Sequence, residues 1–192
     1  MKNKRCYALC LILALGLNLA STAQDISNGL LSHWRLSDGS GATAMDSAGG
    51  NHGTLMEDAT WTDGMIGGAV LLDGEGDHVN CGNDNSLNIT ASVSLAAWVQ
   101  PDTGFAYPDW SGIIMRGGPN LDTFAFYYNG NTENLGFKTT GTTGSTWMAT
   151  PAPGLLDGEW HHVAAVYNGA SKMIYMDAQE VISANSTGPI ET

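Results

Sequence analysis

The segment Glu159-Trp160-His161-His162-Val163-Ala164-Ala165-Val166-Tyr167, followed by Asn168-Gly169 and then Lys172-Met173-Ile174-Tyr175-Met176-Asp177, constrains the fold most. Adjacent histidines beside a tryptophan suggest a metal or catalytic centre, but strand geometry argues otherwise. A strand sends successive side chains to opposite faces. Trp160, His162, Ala164 and Val166 then share one face, and His161, Val163, Ala165 and Tyr167 the other. Two such histidines cannot grip one metal ion, which needs helical spacing or a short Cys/His knuckle. Asn168-Gly169 supplies turn chemistry, and the next run resumes as a second strand.

The rest of the chain repeats this pattern. Alternating or apolar runs at 30–36, 68–72, 77–81, 92–99, 113–115, 123–128, 135–139 and 146–149 are bounded by Gly, Asn, Asp or Pro, and a short strand is expected at 180–183. No segment shows a capped helical period. Short strands at regular spacing with Gly-rich turns predict an all-β, antiparallel sandwich or barrel. Residues 37–67 lack a clear period and are expected to be mostly loop.

The N-terminus reads as a secretion signal over residues 1–23. Lys2, Lys4 and Arg5 precede the apolar run Cys6 to Ala20, and Ser21-Thr22-Ala23 supplies small residues for cleavage. The run is short for a membrane span. The remaining domain, 24–192, keeps four basic residues, Arg35, Arg116, Lys138 and Lys172, against nineteen acids, a formal charge of −15. That argues against nucleic acid or an anionic membrane as partner. Cys81 is the one cysteine outside the signal, so no disulfide is expected within the chain. It is expected to be a buried strand residue.

On these ordered segments the chain resembles the laminin-G-like jelly-roll domains of the concanavalin A-like lectin/glucanase superfamily, in its pentraxin-like branch. The matching pieces are Gly29 to Leu36 with Asp38-Gly39-Ser40-Gly41, Asp46 to Gly53, Gly64 to Val79, Ser94 to Pro101, and Trp160 to Tyr167 with Tyr175-Met176-Asp177. The resemblance implies a two-sheet jelly-roll sandwich in an extracellular, periplasmic or cell-surface setting. Two departures stand out. Ala178 follows Asp177 where the family has glycine, so the turn is expected to be strained or of another type. The family also continues beyond Gly188-Pro189-Ile190-Glu191-Thr192 to a closing strand, which this sequence lacks.

Three groups are site candidates. Phe105-Ala106-Tyr107-Pro108-Asp109-Trp110 is an aromatic loop, and Tyr107, Trp110, Tyr128 and Trp147 are candidates for sugar recognition, since ring faces stack on sugars and polar edges bind hydroxyls. The competing reading has these rings capping the core; Trp34, Trp98 and Trp160 are assigned to the core outright. Asp46, Asn51 and the carbonyls near Gly53 are candidates for a structural calcium, weighed against a plain Asx turn. Asp73, Glu75 and Asp77 alternate like paired catalytic carboxylates, but Gly74 and Gly76 interleave them, which reads as a solvated turn.

These features suggest a non-catalytic recognition or adhesion module for carbohydrate or an extracellular protein. A carbohydrate-active enzyme on the same scaffold and a ligand-free spacer remain alternatives. The enzyme reading needs two carboxylates facing across a groove.

Overall fold

A computed structural model describes residues 27–103, 106, 107, 109–117 and 123–192. The signal assigned to residues 1–23 lies outside the described residues, as do Phe105 and Pro108. The chain divides into a unit up to Leu30 and a unit from Leu31 to Thr192. In the first, the Leu30 N–H closes a turn onto the Ser27 carbonyl at 3.2 Å.

The second unit is built almost wholly of antiparallel strands. They are β1 (Thr43–Ala44), β2 (Gly53–Met56), β3 (Thr60–Asp63), β4 (Gly68–Leu71), β5 (His78–Asn80), β6 (Val93–Val99), β7 (Ser111–Arg116), β8 (Phe124–Asn129), β9 (Asn134–Thr139), β10 (Thr143–Gly144), β11 (Trp147–Pro151), β12 (His161–Tyr167), β13 (Ser171–Met176) and β14 (Gln179–Thr187). The helical content is two short 3-10 turns, Asn85–Leu87 and Pro153–Leu156.

Two sheets sandwich the core. One runs β10-β14-β13-β12-β6, the other β11-β9-β8-β7; a three-stranded sheet β1-β2-β5 and the hairpin β3-β4 accompany them. Phe124, Phe126, Tyr128, Leu135, Phe137 and Met148 of the four-stranded sheet pack with Val93, Leu95, Val163, Ala165, Tyr167 and Ile174 of the five-stranded one. This is an antiparallel sandwich, one of the two architectures expected from the strand pattern, and it is consistent with the jelly-roll type that the resemblance implies.

In β12, alternation places the two histidines on opposite faces. His161, Val163, Ala165 and Tyr167 are buried, and His162, Ala164 and Val166 are half-buried. His162 meets the Trp98 ring edge-on at 5.3 Å. His161 is instead clamped between carboxylates, with Nδ1 2.8 Å from Asp177 and Nε2 3.0 Å from Asp157. The Asp177 and Asp157 hydrogen bonds outweigh burial and raise the imidazole pKa above its ordinary value. Both ring nitrogens face acceptors, an arrangement that the doubly protonated ring satisfies.

Several local expectations are corrected. Residues 30–36 form no strand; Trp34 makes only an isolated bridge to Asp46. Residues 37–67 are mostly loop, as expected, interrupted by the short strands β1, β2 and β3. Each is two to four residues long, too short for alternation to register. The short strand expected at 180–183 is the nine-residue β14, paired with β13 on one side and β10 on the other. Beyond it, Ile190 is 1% exposed and enters the core, and its N–H reaches the Thr90 carbonyl at 2.8 Å. Trp98, assigned to the core, is 40% exposed on the outer face of β6. Trp34 is half-buried, its indole N–H donating to the Asn51 carbonyl at 2.7 Å, and Trp160 is also half-buried. Cys81 is free and half-buried just past β5, where burial raises its thiol pKa.

Lys172 is fully buried. Its ammonium donates to the Ser145 and Thr146 carbonyls at 2.7 Å each and lies 5.8 Å from the Phe137 and Tyr167 ring centres. Burial lowers its pKa to about 8. The lysine ties the β10–β11 corner to the core without a carboxylate partner among the described residues.

The Asp177-Ala178 turn joins β13 to β14 in two residues, with φ of 49° and 65°. Both central residues are left-handed, the geometry of a type I′ hairpin turn. Asp177 is held by the His162 N–H on its carboxylate and by its own N–H on the His162 carbonyl. Ala178 has no such side-chain compensation, and a Cβ in this region is disfavoured. Ala178→Gly is therefore expected to stabilise the fold by about 1 kcal/mol and raise the melting temperature by roughly 2–4 °C in a thermal denaturation scan. An unchanged or lowered midpoint would show that the turn carries no such strain.

Candidate functional site

The outer face of the four-stranded sheet is where aromatic side chains accumulate away from the core. Register aligns Ala149, Gly136, Tyr127 and Gly112 in one row across it, and Trp147, Lys138, Ala125 and Met115 in the next. The first row is made of small residues apart from Tyr127, which gives that ring room to lie flat. A Cβ built on Gly136 would sit 2.2 Å from the Tyr127 ring and 2.4 Å from its hydroxyl oxygen. Gly136 is thus a floor on which the tyrosine rests, a close approach that explains a glycine inside a strand.

Two tryptophans complete the group. The Trp110 ring centre is 4.7 Å from that of Tyr127 and 6.0 Å from that of Trp147, tilted by 47° and 46°. Trp110 is 54% and Trp147 51% exposed, whereas Tyr127 is 1% exposed. Two half-exposed indoles therefore flank a buried phenol. Burial pushes the Tyr127 pKa well above the usual tyrosine range, so the phenol stays neutral. Among the described residues its hydroxyl has no hydrogen-bond partner.

The loop before β7 presents Trp110. Gly130, in the β8–β9 turn, lies so close to it that a Cβ would meet the Tyr107 carbonyl oxygen at 1.6 Å. The Tyr107 hydroxyl accepts from the Asp102 N–H at 2.7 Å, and Asn131 donates to the Asp109 carboxylate at 2.7 Å. The loop is thereby docked on the turn, and Trp110 follows with φ of 67°. A left-handed backbone at a bulky residue is an outlier, and such strain clusters at functional positions.

The four aromatic candidates separate into two pairs. Trp110 and Trp147 come together on the outer face. Tyr128 does not join them: it is 5% exposed within the core cluster, because it has the opposite strand parity to Tyr127. Tyr107 is half-buried and packs edge-on against Tyr128 at 5.8 Å, so its placement makes it a support of the loop. Sequence reading missed Tyr127. The available signal was Phe124-Ala125-Phe126-Tyr127-Tyr128, where aromatics of both parities leave no polar face, with Gly136 inside the neighbouring strand.

The Asp46 loop has a different character. One carboxylate oxygen accepts from the His33, Ala48 and Gly49 N–H groups at 2.8–3.0 Å, and the other from the Asn51 N–H at 3.2 Å. Burial opposes the charge, yet the N–H groups of Gly49, His33 and Ala48 hold the pKa well below the usual carboxylate range. The Asn51 amide donates to the Ser32 and Ser86 hydroxyls at 2.9 and 3.1 Å. Gly53 opens β2, and a Cβ there would meet Val79 at 2.4 Å. The polar atoms of Asp46 and Asn51 are thus committed to holding the loop.

Asp73 and Asp77 meet Asp58 instead of aligning with Glu75. One oxygen of each of these three lies within 4.8 Å of the others in an exposed turn. Asp77 accepts from the Asp58 and Asp73 N–H groups at 3.1 and 3.0 Å, and Asp73 accepts from the Glu75 N–H at 2.7 Å.

A family model described as the concanavalin A-like lectin/glucanases superfamily, of laminin G type, matches residues 73–192, more than half of the chain. The chain belongs to this superfamily. The match spans β5 to β14, and with them both core sheets and all three clustered rings. Among solved structures, domain 4 of AbnA, a GH43 extracellular arabinanase from Geobacillus stearothermophilus, in complex with arabinotriose, is similar with a TM-score of 0.56 at 20% identity, covering 86% of this chain and 75% of that one. An S-layer domain-containing protein from Clostridium thermocellum, residues 221–444, matches with a TM-score of 0.47 at 18% identity, covering 80% and 71%. No curated protein matches the chain. The likeness to the arabinanase domain is one of fold alone, and the site is argued from this chain's own residues.

Gly136→Ala tests the outer-face arrangement. Its methyl would occupy space held by the Tyr127 ring, so the ring must lift. A stability loss of about 1–3 kcal/mol in denaturant unfolding is expected, with altered near-ultraviolet circular dichroism from the disturbed rings. Unchanged stability and spectrum would mean that Tyr127 does not rest on Gly136.

Proposed function

We propose that this protein is a secreted, non-catalytic recognition module that binds carbohydrate on the outer face of its four-stranded sheet. The carrying observation is the cluster of Trp110, Tyr127 and Trp147, with both indoles half-exposed on a rigid β scaffold. Aromatic faces of this kind stack on the apolar faces of sugar rings. Contiguous exposed apolar groups of this kind mark interaction surfaces more often than single exposed side chains such as Trp98 do. The complex of the similar arabinanase domain with arabinotriose supports a neutral saccharide as the ligand class.

The same face favours binding over catalysis. Outward positions on the four strands are Gly112, Met115, Ala125, Tyr127, Asn129, Asn134, Gly136, Lys138, Trp147, Ala149 and Pro151, none of them a carboxylate. Glycoside hydrolysis in its common form needs two. Secretion rests on the apolar N-terminal run; among the described residues no helix is long and apolar enough to cross a membrane. Structural calcium at the Asp46 loop remains a proposal that stands apart from the sugar site: calcium would have to compete with the four N–H groups that now occupy the carboxylate.

The test is isothermal titration of the domain 24–192 with neutral oligosaccharides, namely arabinotriose, xylotriose and cellotriose, beside Trp147→Ala. Binding by the wild type and a loss of about fivefold or more in Trp147→Ala are expected, since stacking with an aromatic ring contributes about 1 kcal/mol or more. Equal binding by both proteins would move the site elsewhere, and release of reducing ends on incubation would make the protein an enzyme.

A further inference from the structure

Tyr127 presents a contradiction that the packing alone does not resolve. A phenylalanine would rest on Gly136 and against Trp110 equally well. The hydroxyl adds a buried polar atom with no partner among the described residues. Such an atom carries an uncompensated desolvation cost, and each instance in a native fold calls for an explanation. The hydroxyl end lies over Gly136, in a row whose other members are Ala149 and Gly112, so no larger side chain of that row stands over it. The neighbouring ring, Trp110, is the member of the cluster whose backbone is strained, and half of its surface already faces solvent.

We propose that the Tyr127 hydroxyl is the specificity-determining group of the saccharide site, bonding a sugar hydroxyl when the Trp110 indole turns aside. This inference rests on the binding reading above and deepens it. The neutral phenol is both donor and acceptor, which matches the dual character of a sugar hydroxyl. Indoles alone grip sugar faces without telling one hydroxyl pattern from another. A single buried polar group discriminates strongly, because an analogue lacking its counterpart leaves that group unpaired. The cost of keeping the hydroxyl unpartnered in the free protein is then recovered on binding. Trp110, whose ring centre lies 4.7 Å from that of Tyr127 and whose surface is half exposed, is the side chain whose movement would open the Tyr127 ring to a ligand.

Tyr127→Phe separates this role from a structural one. The test compares wild type and variant by titration with arabinotriose, xylotriose and cellotriose, and by thermal unfolding without sugar. The expected result is at least a tenfold weaker affinity for the preferred trisaccharide, a smaller spread of affinities across the three, and a melting temperature equal to or above that of the wild type. A variant that binds like the wild type overturns the proposal while leaving the sugar site standing. A lower melting temperature together with weaker binding also overturns it, since the hydroxyl would then be part of the fold. A wild type that binds none of the three overturns both readings.

Discussion

Burial of β8 on both faces is the constraint on which the outer aromatic surface depends. An antiparallel sheet in a sandwich ordinarily packs one face and leaves the other to water. In β8 all six residues, Phe124 to Asn129, are buried. The inner parity meets the five-stranded sheet. The outer parity needs a cover of its own, and Trp110 from the preceding loop helps to supply it by packing on Tyr127. The outer face therefore becomes an aromatic surface instead of a polar one. The glycines serve that end: Gly136 admits the Tyr127 ring, and Gly130 admits the loop that delivers Trp110.

The conspicuous polar residues serve the backbone. His161 joins Asp157 to Asp177, and Asp177 in turn anchors β12 at the hairpin that follows β13. Asp46 gathers four N–H groups of its loop. Lys172 draws two carbonyls toward the core. Each of these groups has the look of chemistry in the sequence, and each has its hydrogen-bonding capacity taken up within the fold. Among the described residues, the buried hydroxyls of Tyr127, on the outer face, and of Tyr128, in the core, are the ones that do not.

Much of the architecture was legible because it depends on local rules. Alternation in Trp160 to Tyr167 placed the histidines on opposite faces, and Asn168-Gly169 marked the turn that Gly169 makes at φ 88°. The Ala178 departure pointed to a turn whose strain the dihedral angles bear out. Strands β1 to β3 were hidden because two to four residues carry no period. The site was half legible. Trp110 and Trp147 could be named as aromatic candidates, but strand parity and register, which put Tyr127 beside them and Tyr128 in the core, emerge only from the pairing of β8 with β9 and of β9 with β11. Trp98 was misplaced for a related reason: alternation in β6 puts it opposite Val93 and Leu95, on the face away from the core.

The central claim is that the ligand surface is the outer face of the four-stranded sheet. Nuclear magnetic resonance titration of the isotopically labelled domain with arabinotriose tests it most directly. Chemical-shift changes are predicted to concentrate on the Trp110 and Trp147 indole signals, the Tyr127 ring and the Gly136 amide. Changes confined to Trp98 and His162 on the opposite sheet, or to the Asp46 loop, would contradict it.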